Sequence, residues 1–172
     1  PPEQIDVVVH RQSVIHSMVE LRDGSVLAQM GIPDMRGPLA YAMSYPERLP
    51  LKLPPLDLKK VRTLTFERPD RRKFPCLGLA YEAIRQGGTM PAVLNAANEV
   101  AVGAYLEERI PFSEISRFIR STLSKHRPRR LKSLADVIWA DGWAREEAGG
   151  RLKGILRKAT GGKKILKRKR KA

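Results

Sequence analysis

Hydrophobic and polar positions change period once along the chain. Before about residue 74 the signals are strand-like and short. Ile5-Asp6-Val7-Val8-Val9 is β-branched and predicts a strand. Two alternating runs then flank Asp23-Gly24, a pair suited to the positive backbone angles of a two-residue hairpin loop. Such a loop pairs Leu21 with Val26, Val19 with Ala28 and Ser17 with Met30, placing a mostly apolar set on one face. Asp34 is placed to cap a short helix through Ala40 to Ser44, which stops before Pro46. Four prolines between Pro46 and Pro55 predict an extended crossing, and Val61 to Phe66 one further strand.

From Phe74 onward the period becomes helical. Leu77, Ala80, Tyr81 and Ile84 recur at helical spacing, and Gly87-Gly88 ends the segment. Thr89 is positioned to cap a second helix with the stripe Val93, Leu94, Ala97, Val100, Ala101, Ala104 and Tyr105. Ser113 opens a third, with Ile115, Phe118, Ile119, Thr122 and Leu123 on one face. Ser133-Leu134-Ala135-Asp136 has the form of a capping box and opens a fourth, with a break expected near Asp141-Gly142. The pattern predicts an α+β chain. Residues 1–45 carry a hairpin belonging to a partial β-sheet, 46–73 a proline-rich linker and strand, 74–148 an antiparallel helical bundle, and 149–172 a basic tail, either helix extension or disordered.

Composition changes this picture in two places. The chain has 172 residues and 42% hydrophobic positions, enough for a packed core. Its 33 Lys and Arg are unevenly placed: eleven lie between Gly149 and Ala172, where there is no acid, and the other 22 share the body with all 18 acidic residues. The body is therefore only mildly basic, and any appeal to a polyanionic partner rests on the tail. A single cysteine, Cys76, excludes an internal disulfide and a cysteine zinc site; its apolar neighbours suggest a buried, inert thiol. No apolar run reaches the ~18 residues of a membrane helix. An opening of Pro1-Pro2-Glu3 suggests a processed product or a fragment.

The residues that bear chemistry do not assemble into a complete active site. His10 and His16 are candidates for metal ligation or for a satisfied polar face, and two imidazoles alone are too few for a metal. Met18, Met30 and Met35 suit a core or a pocket wall. Asn95, Asn98 and Glu99 share a helical face of solvated or interdomain character.

Longer motifs say more. His10-Arg11-Gln12-Ser13-Val14-Ile15-His16-Ser17-Met18-Val19, Asp23-Gly24-Ser25-Val26-Leu27-Ala28-Gln29-Met30-Gly31, Pro33-Asp34-Met35-Arg36, Phe74-Pro75-Cys76-Leu77 and Leu94-Asn95-Ala96-Ala97-Asn98-Glu99 stand in one order and spacing. Together they resemble the C-terminal portion of 1-deoxy-D-xylulose 5-phosphate reductoisomerases, from about Ile5 to Ala148. The resemblance implies an NADPH- and Mg- or Mn-dependent oxidoreductase. Such an enzyme rearranges a sugar phosphate and reduces it to 2-C-methyl-D-erythritol 4-phosphate in non-mevalonate isoprenoid biosynthesis. It assigns His16, Ser13 and Met35 to the substrate pocket, and Asn95, Asn98 and Glu99 to the architecture. It further implies a soluble homodimer, cytoplasmic or in a plastid.

Two positions depart from the family pattern: Arg11 stands where proline is usual, and Gly37 where threonine is usual. The family's NADPH domain, its Asp-x-Glu metal carboxylates and its catalytic lid precede the region that this chain resembles. The resemblance therefore implies no catalytic, cofactor or metal ligands here, and a chain inactive without the missing N-terminal part. The rival expectation is a non-catalytic interaction module that binds nucleic acid or an anionic surface through the basic tail.

Overall fold

The computed structural model describes the backbone of residues 1–169 and the side chains of residues 1–154. It is α+β: mostly helical, with one small antiparallel sheet. The chain divides into two compact units, one of residues 6–69 and one of residues 1–5 with 70–172.

The smaller unit is built on a hairpin of β1 (Ile15–Glu20) and β2 (Val26–Met30). Its loop differs from the expected two-residue turn. Leu21 N–H donates to Ser25 O at 2.8 Å and Gly24 N–H to Leu21 O at 3.0 Å, which leaves three loop residues. Gly24, at φ +83°, takes the left-handed position that ends such a loop, and Asp23 Oδ1 accepts from Ser25 N–H at 2.9 Å. Asp-Gly serves this loop as well as the two-residue one, so the dipeptide alone does not set the register. The pairing is consequently shifted by one residue: Glu20 faces Val26, Val19 faces Leu27 and Met18 faces Ala28. Val19 and Ala28, expected on one face, lie on opposite faces. Neither face is buried: Met18, Val19, Val26 and Leu27 are all exposed.

Two expected strands do not form. Val9 makes one isolated antiparallel bridge to Glu67, and the remainder of Ile5–Val9 and residues 62–66 are irregular. A single turn of helix, α2 (Leu58–Val61), stands at the start of the second, capped by Asp57 accepting from Lys59 N–H. α1 (Arg36–Ser44) follows the hairpin.

In the larger unit, α3 (Cys76–Gln86), α4 (Met90–Leu106), α5 (Phe112–Leu123) and α6 (Leu134–Lys169) share one core. α4 lies at its centre and touches the other three. Its fully buried residues Val93, Ala96, Ala97, Ala101 and Ala104 lie along one broad face, and the partly buried Ala92, Leu94 and Val102 extend the packing around the helix. α5 buries the stripe read from its spacing, Ile115, Phe118, Ile119, Thr122 and Leu123. The buried Thr122 hydroxyl is satisfied by Phe118 O at 3.2 Å. On α3 the inward residues are Leu79 and Ala83 rather than Ile84, which is exposed.

α6 begins as the capping-box pattern predicts, with Asp136 Oδ2 accepting from the N–H groups of Lys132 and Ser133 at 2.9 Å. It does not break at Asp141-Gly142: Ala140 and Ala144 on either side are fully buried in the core, and Asp141 pairs with Arg145 one turn on (Nε–Oδ2 2.7 Å). Leu152 is buried, so the first turn of the basic segment packs into the core. The expectations for the tail's side chains from Ile155 onward lie outside the described residues. Among the described residues no helix is long and apolar enough to cross a membrane.

Candidate functional site

His10, Ser13, His16 and Met35 all belong to the smaller unit. His10 to Ser13 form a turn closed by Ser13 N–H on His10 O at 3.1 Å. Ser13 has φ +51°, a left-handed conformation that costs a non-glycine residue about 1–3 kcal/mol and persists only where its surroundings hold it. Val14 follows, buried, with its carbonyl accepting from Gly31 N–H at 2.9 Å.

β1 then carries an irregularity that the alternation pattern did not foretell. Ile15 pairs with Met30 and Ser17 with Gln29, so His16 is the extra residue between two consecutive pairs. A bulge of this kind re-aims the side chain it carries. The His16 ring is exposed and passes close to Gly31, where a Cβ would lie 4.0 Å from its Cε1. Met35 stands four residues beyond Gly31, immediately before α1, with 68% of its surface open to solvent. Met18 and Met30 are also exposed, so none of the three methionines is a core residue.

Met35 is framed by an ion pair. Asp34 accepts from Arg36 at its backbone N–H (2.9 Å), Nε (3.0 Å) and Nη2 (2.7 Å). These donors hold the Asp34 carboxyl down at about 2.

His10 and His16 do not form a metal pair. His10 Nδ1 lies 2.8 Å from Thr65 O, and its ring stacks on Phe66 at 4.8 Å. Among the described residues no three His, Cys, Asp or Glu side chains come together as metal ligands, so the residues present do not fit a divalent ion. Cys76 is half-buried, and burial pushes its thiol up, away from the reactive thiolate. Glu99 ties α4 to α6: it accepts from Arg145 Nη2 at 2.7 Å and from Asn95 Nδ2 at 2.9 Å, and both hold its carboxyl below the usual range.

Three residues of the smaller unit escaped sequence reasoning. Gln12, Thr65 and Glu67 interlock around the His10–Ser13 turn across 53 to 56 residues of chain. No local pattern announces contacts at that separation.

Residues 30–147 match the model of the DXP reductoisomerase C-terminal domain. The 1-deoxy-D-xylulose 5-phosphate reductoisomerase of Trichlorobacter lovleyi is 53% identical over 148 residues, 86% of this chain and 38% of its own length. That of Desulfosudis oleivorans is 56% identical over 152 residues, 88% of this chain and 40% of its own. Among solved structures, the Zymomonas mobilis enzyme in complex with NADPH superimposes with a TM-score of 0.80 at 46% identity, over 88% of this chain and 40% of that one. A DOX-P reductoisomerase in complex with magnesium gives 0.73 at 39% identity, over 90% of this chain and 41% of that one. The chain belongs to the 1-deoxy-D-xylulose 5-phosphate reductoisomerase family, and it spans about two fifths of the length of these relatives.

Proposed function

We propose that residues 1–148 form one wall of the substrate pocket of an NADPH- and divalent-metal-dependent reductoisomerase acting on 1-deoxy-D-xylulose 5-phosphate. The observation that carries the reading is the bulge at His16, which sets one imidazole off the strand in a unit that also exposes Met35. The imidazole N–H of His16 donates to a substrate hydroxyl. Ser13 supplies a second hydroxyl contact, and the Met35 thioether gives an apolar side that excludes water from the reacting carbons. The chain's own part in the reaction is to bind and orient. NADPH and the divalent ion, Mg or Mn, are held by polypeptide outside this region, and the 172-residue chain alone neither binds NADPH nor turns over substrate. The assembled enzyme is a homodimer, and the uncovered hairpin faces are where further polypeptide packs.

A chimera tests this. Residues 1–148 replace the corresponding part of the Zymomonas mobilis enzyme, and substrate-dependent NADPH oxidation is followed. Turnover is expected, and His16→Ala should lower kcat/KM about 10- to 100-fold, the worth of a hydrogen bond lost in a buried site. A chimera that folds and binds NADPH but does not turn over sinks the reading.

A second reading rests on the tail, whose eleven basic residues follow the end of the family match at residue 147. In it, residues 149–172 bind nucleic acid without sequence preference, and each phosphate contact steepens the salt dependence. Salt titrations with and without those residues decide it, since equal weak binding by both forms removes this second role.

A further inference from the structure

The segment Thr65–Glu67 grips the turn ahead of β1 at every residue. The backbones of Val9 and Glu67 exchange two hydrogen bonds of 2.9 Å. Thr65 O faces His10 Nδ1 at 2.8 Å, and Phe66 stacks on the His10 ring. The Arg11 guanidinium donates to both carboxylate oxygens of Glu67, Nε at 2.6 Å and Nη2 at 3.0 Å. The Gln12 amide meets Thr65 twice over: Nε2 lies 2.9 Å from Thr65 Oγ1, and Oε1 lies 3.3 Å from Thr65 N and 3.1 Å from Oγ1.

The next residue, Ser13, holds the left-handed backbone. Its own turn supplies a single closing hydrogen bond, to His10 O. Two residues past Ser13 the bulge begins that carries His16. The strained residue and the re-aimed side chain are therefore downstream of a turn whose three preceding residues are each fastened to one distant segment.

We infer that Gln12, Thr65 and Glu67 are positioning residues for the substrate-binding wall: they hold Ser13 in its left-handed conformation and thereby set the direction in which His16 leaves β1. The inference rests on the reading above that Ser13 and His16 meet substrate. The ion pair is exposed on both sides, 71% and 49%, and water competes for it, so Glu67→Gln alone has a small effect. The Gln12–Thr65 pair, also exposed, differs in kind, because a single amide is matched there to both a hydroxyl and a backbone N–H.

The experiment uses the 172-residue chain labelled with ¹³C and ¹⁵N. Ser13 Cα and carbonyl shifts and its HN–Hα coupling report the left-handed backbone, and the ring resonances of His16 report its placement. The amides of Leu27 and Ala28 monitor the hairpin. Thr65→Val is expected to move Ser13 toward ordinary extended values and to shift the His16 ring, with the hairpin amides unchanged. Thr65→Ser, which keeps the hydroxyl, should restore both. In the chimera described above, Thr65→Val should lower kcat about tenfold with KM changed less than threefold, and Thr65→Ser should recover it. Should Thr65→Val fail to fold, Gln12→Leu gives the same readings. A folded variant with unchanged Ser13 and His16 signals overturns the inference. Chimera inactivity with the native sequence would instead overturn the pocket reading, leaving the spectroscopic result to decide the positioning role.

Discussion

Thr89 Oγ1 lies 2.7 Å from His126 Nε2, with Thr89 fully buried and His126 only 7% exposed. The Thr89 hydroxyl also accepts from Arg129 N–H at 3.0 Å, so one side chain is hydrogen-bonded both to the His126 ring and to the Arg129 backbone. The ring rests against Trp143 at 4.7 Å, and the Arg129 guanidinium sits 3.7 Å over the Trp139 ring. One hydroxyl thus joins the turn before α4 to the segment between α5 and α6.

This latch makes the larger unit sensitive to mild acid. Burial, and secondarily the charge of Arg129, push the His126 imidazole below its ordinary 6.5. The folded protein then binds this proton less readily than the unfolded chain. The stabilisation is fully present above about pH 6.5 and is lost as pH falls through the lower folded value. The melting temperature should be level from pH 8 to 7 and fall toward pH 5.5, and His126→Gln should flatten that fall. Thr89→Val leaves two polar partners unsatisfied and should cost about 1–3 kcal/mol by urea unfolding at neutral pH.

Neighbouring glycines at the same turn should respond very differently to alanine. Gly87 has φ +68° and room for a methyl group, with its nearest neighbour 3.9 Å away. Gly88 has φ +54°, and a Cβ there would stand 2.2 Å from the Arg129 carbonyl oxygen. Gly87, at ψ −158°, lies in a region essentially reserved for glycine, so Gly87→Ala meets backbone strain alone, about 1–3 kcal/mol. Gly88→Ala adds a clash with backbone that cannot yield without breaking the Thr89 latch. Urea unfolding should place Gly88→Ala well below Gly87→Ala, and equal losses would show the turn to be soft.

These two sites show what the sequence could and could not disclose. Gly87-Gly88 announces the end of a helix, and the α5 stripe announces its buried face, because both are local consequences of period and backbone freedom. Thr89 is a different case. Its position predicts a cap, but it makes no cap bond and turns its hydroxyl to His126, 37 residues away. The hairpin was legible as a hairpin, while its register depended on a choice between two loops that Asp-Gly serves equally. Of the candidate site, His16, Ser13 and Met35 were reached through motif resemblance, whereas the bulge and the Thr65–Glu67 grip depend on tertiary pairing that no window of residues contains.

Two adjacent residues on α6 should separate packing from surface charge. Ala140, Ala144 and Ala148 are fully buried, one turn apart, on a helix that packs against α4, itself lined by Ala97, Ala101 and Ala104. Methyl-sized side chains permit the close approach, so Ala144→Leu should cost about 1–3 kcal/mol through overpacking. Arg145 carries three charged hydrogen bonds to Asp141 and Glu99, yet its side chain is 42% exposed and water competes for each. Arg145→Ala should therefore cost less than about 1 kcal/mol, with a loss that shrinks in high salt. A larger loss from Arg145 than from Ala144 would invert the ranking of forces between α4 and α6.

The Asp34–Arg36 clamp should outlast ordinary carboxylates on acidification. A free aspartate takes up its proton near 3.9, whereas the Arg36 donors hold Asp34 at about 2. With the folded value depressed, the clamp contributes fully above about pH 4 and is released only as pH falls through about 2. The ¹³C resonance of the Asp34 carboxyl should keep its ionised position down to about pH 3. Lysine cannot present the paired donors of the guanidinium, so Arg36→Lys should raise the midpoint toward the ordinary value. The amide of Met35, held between the two residues, should shift with the same midpoint in each protein. A native midpoint near 4 would mean that the paired geometry is not populated in solution and that the backbone at Met35 is not braced by it.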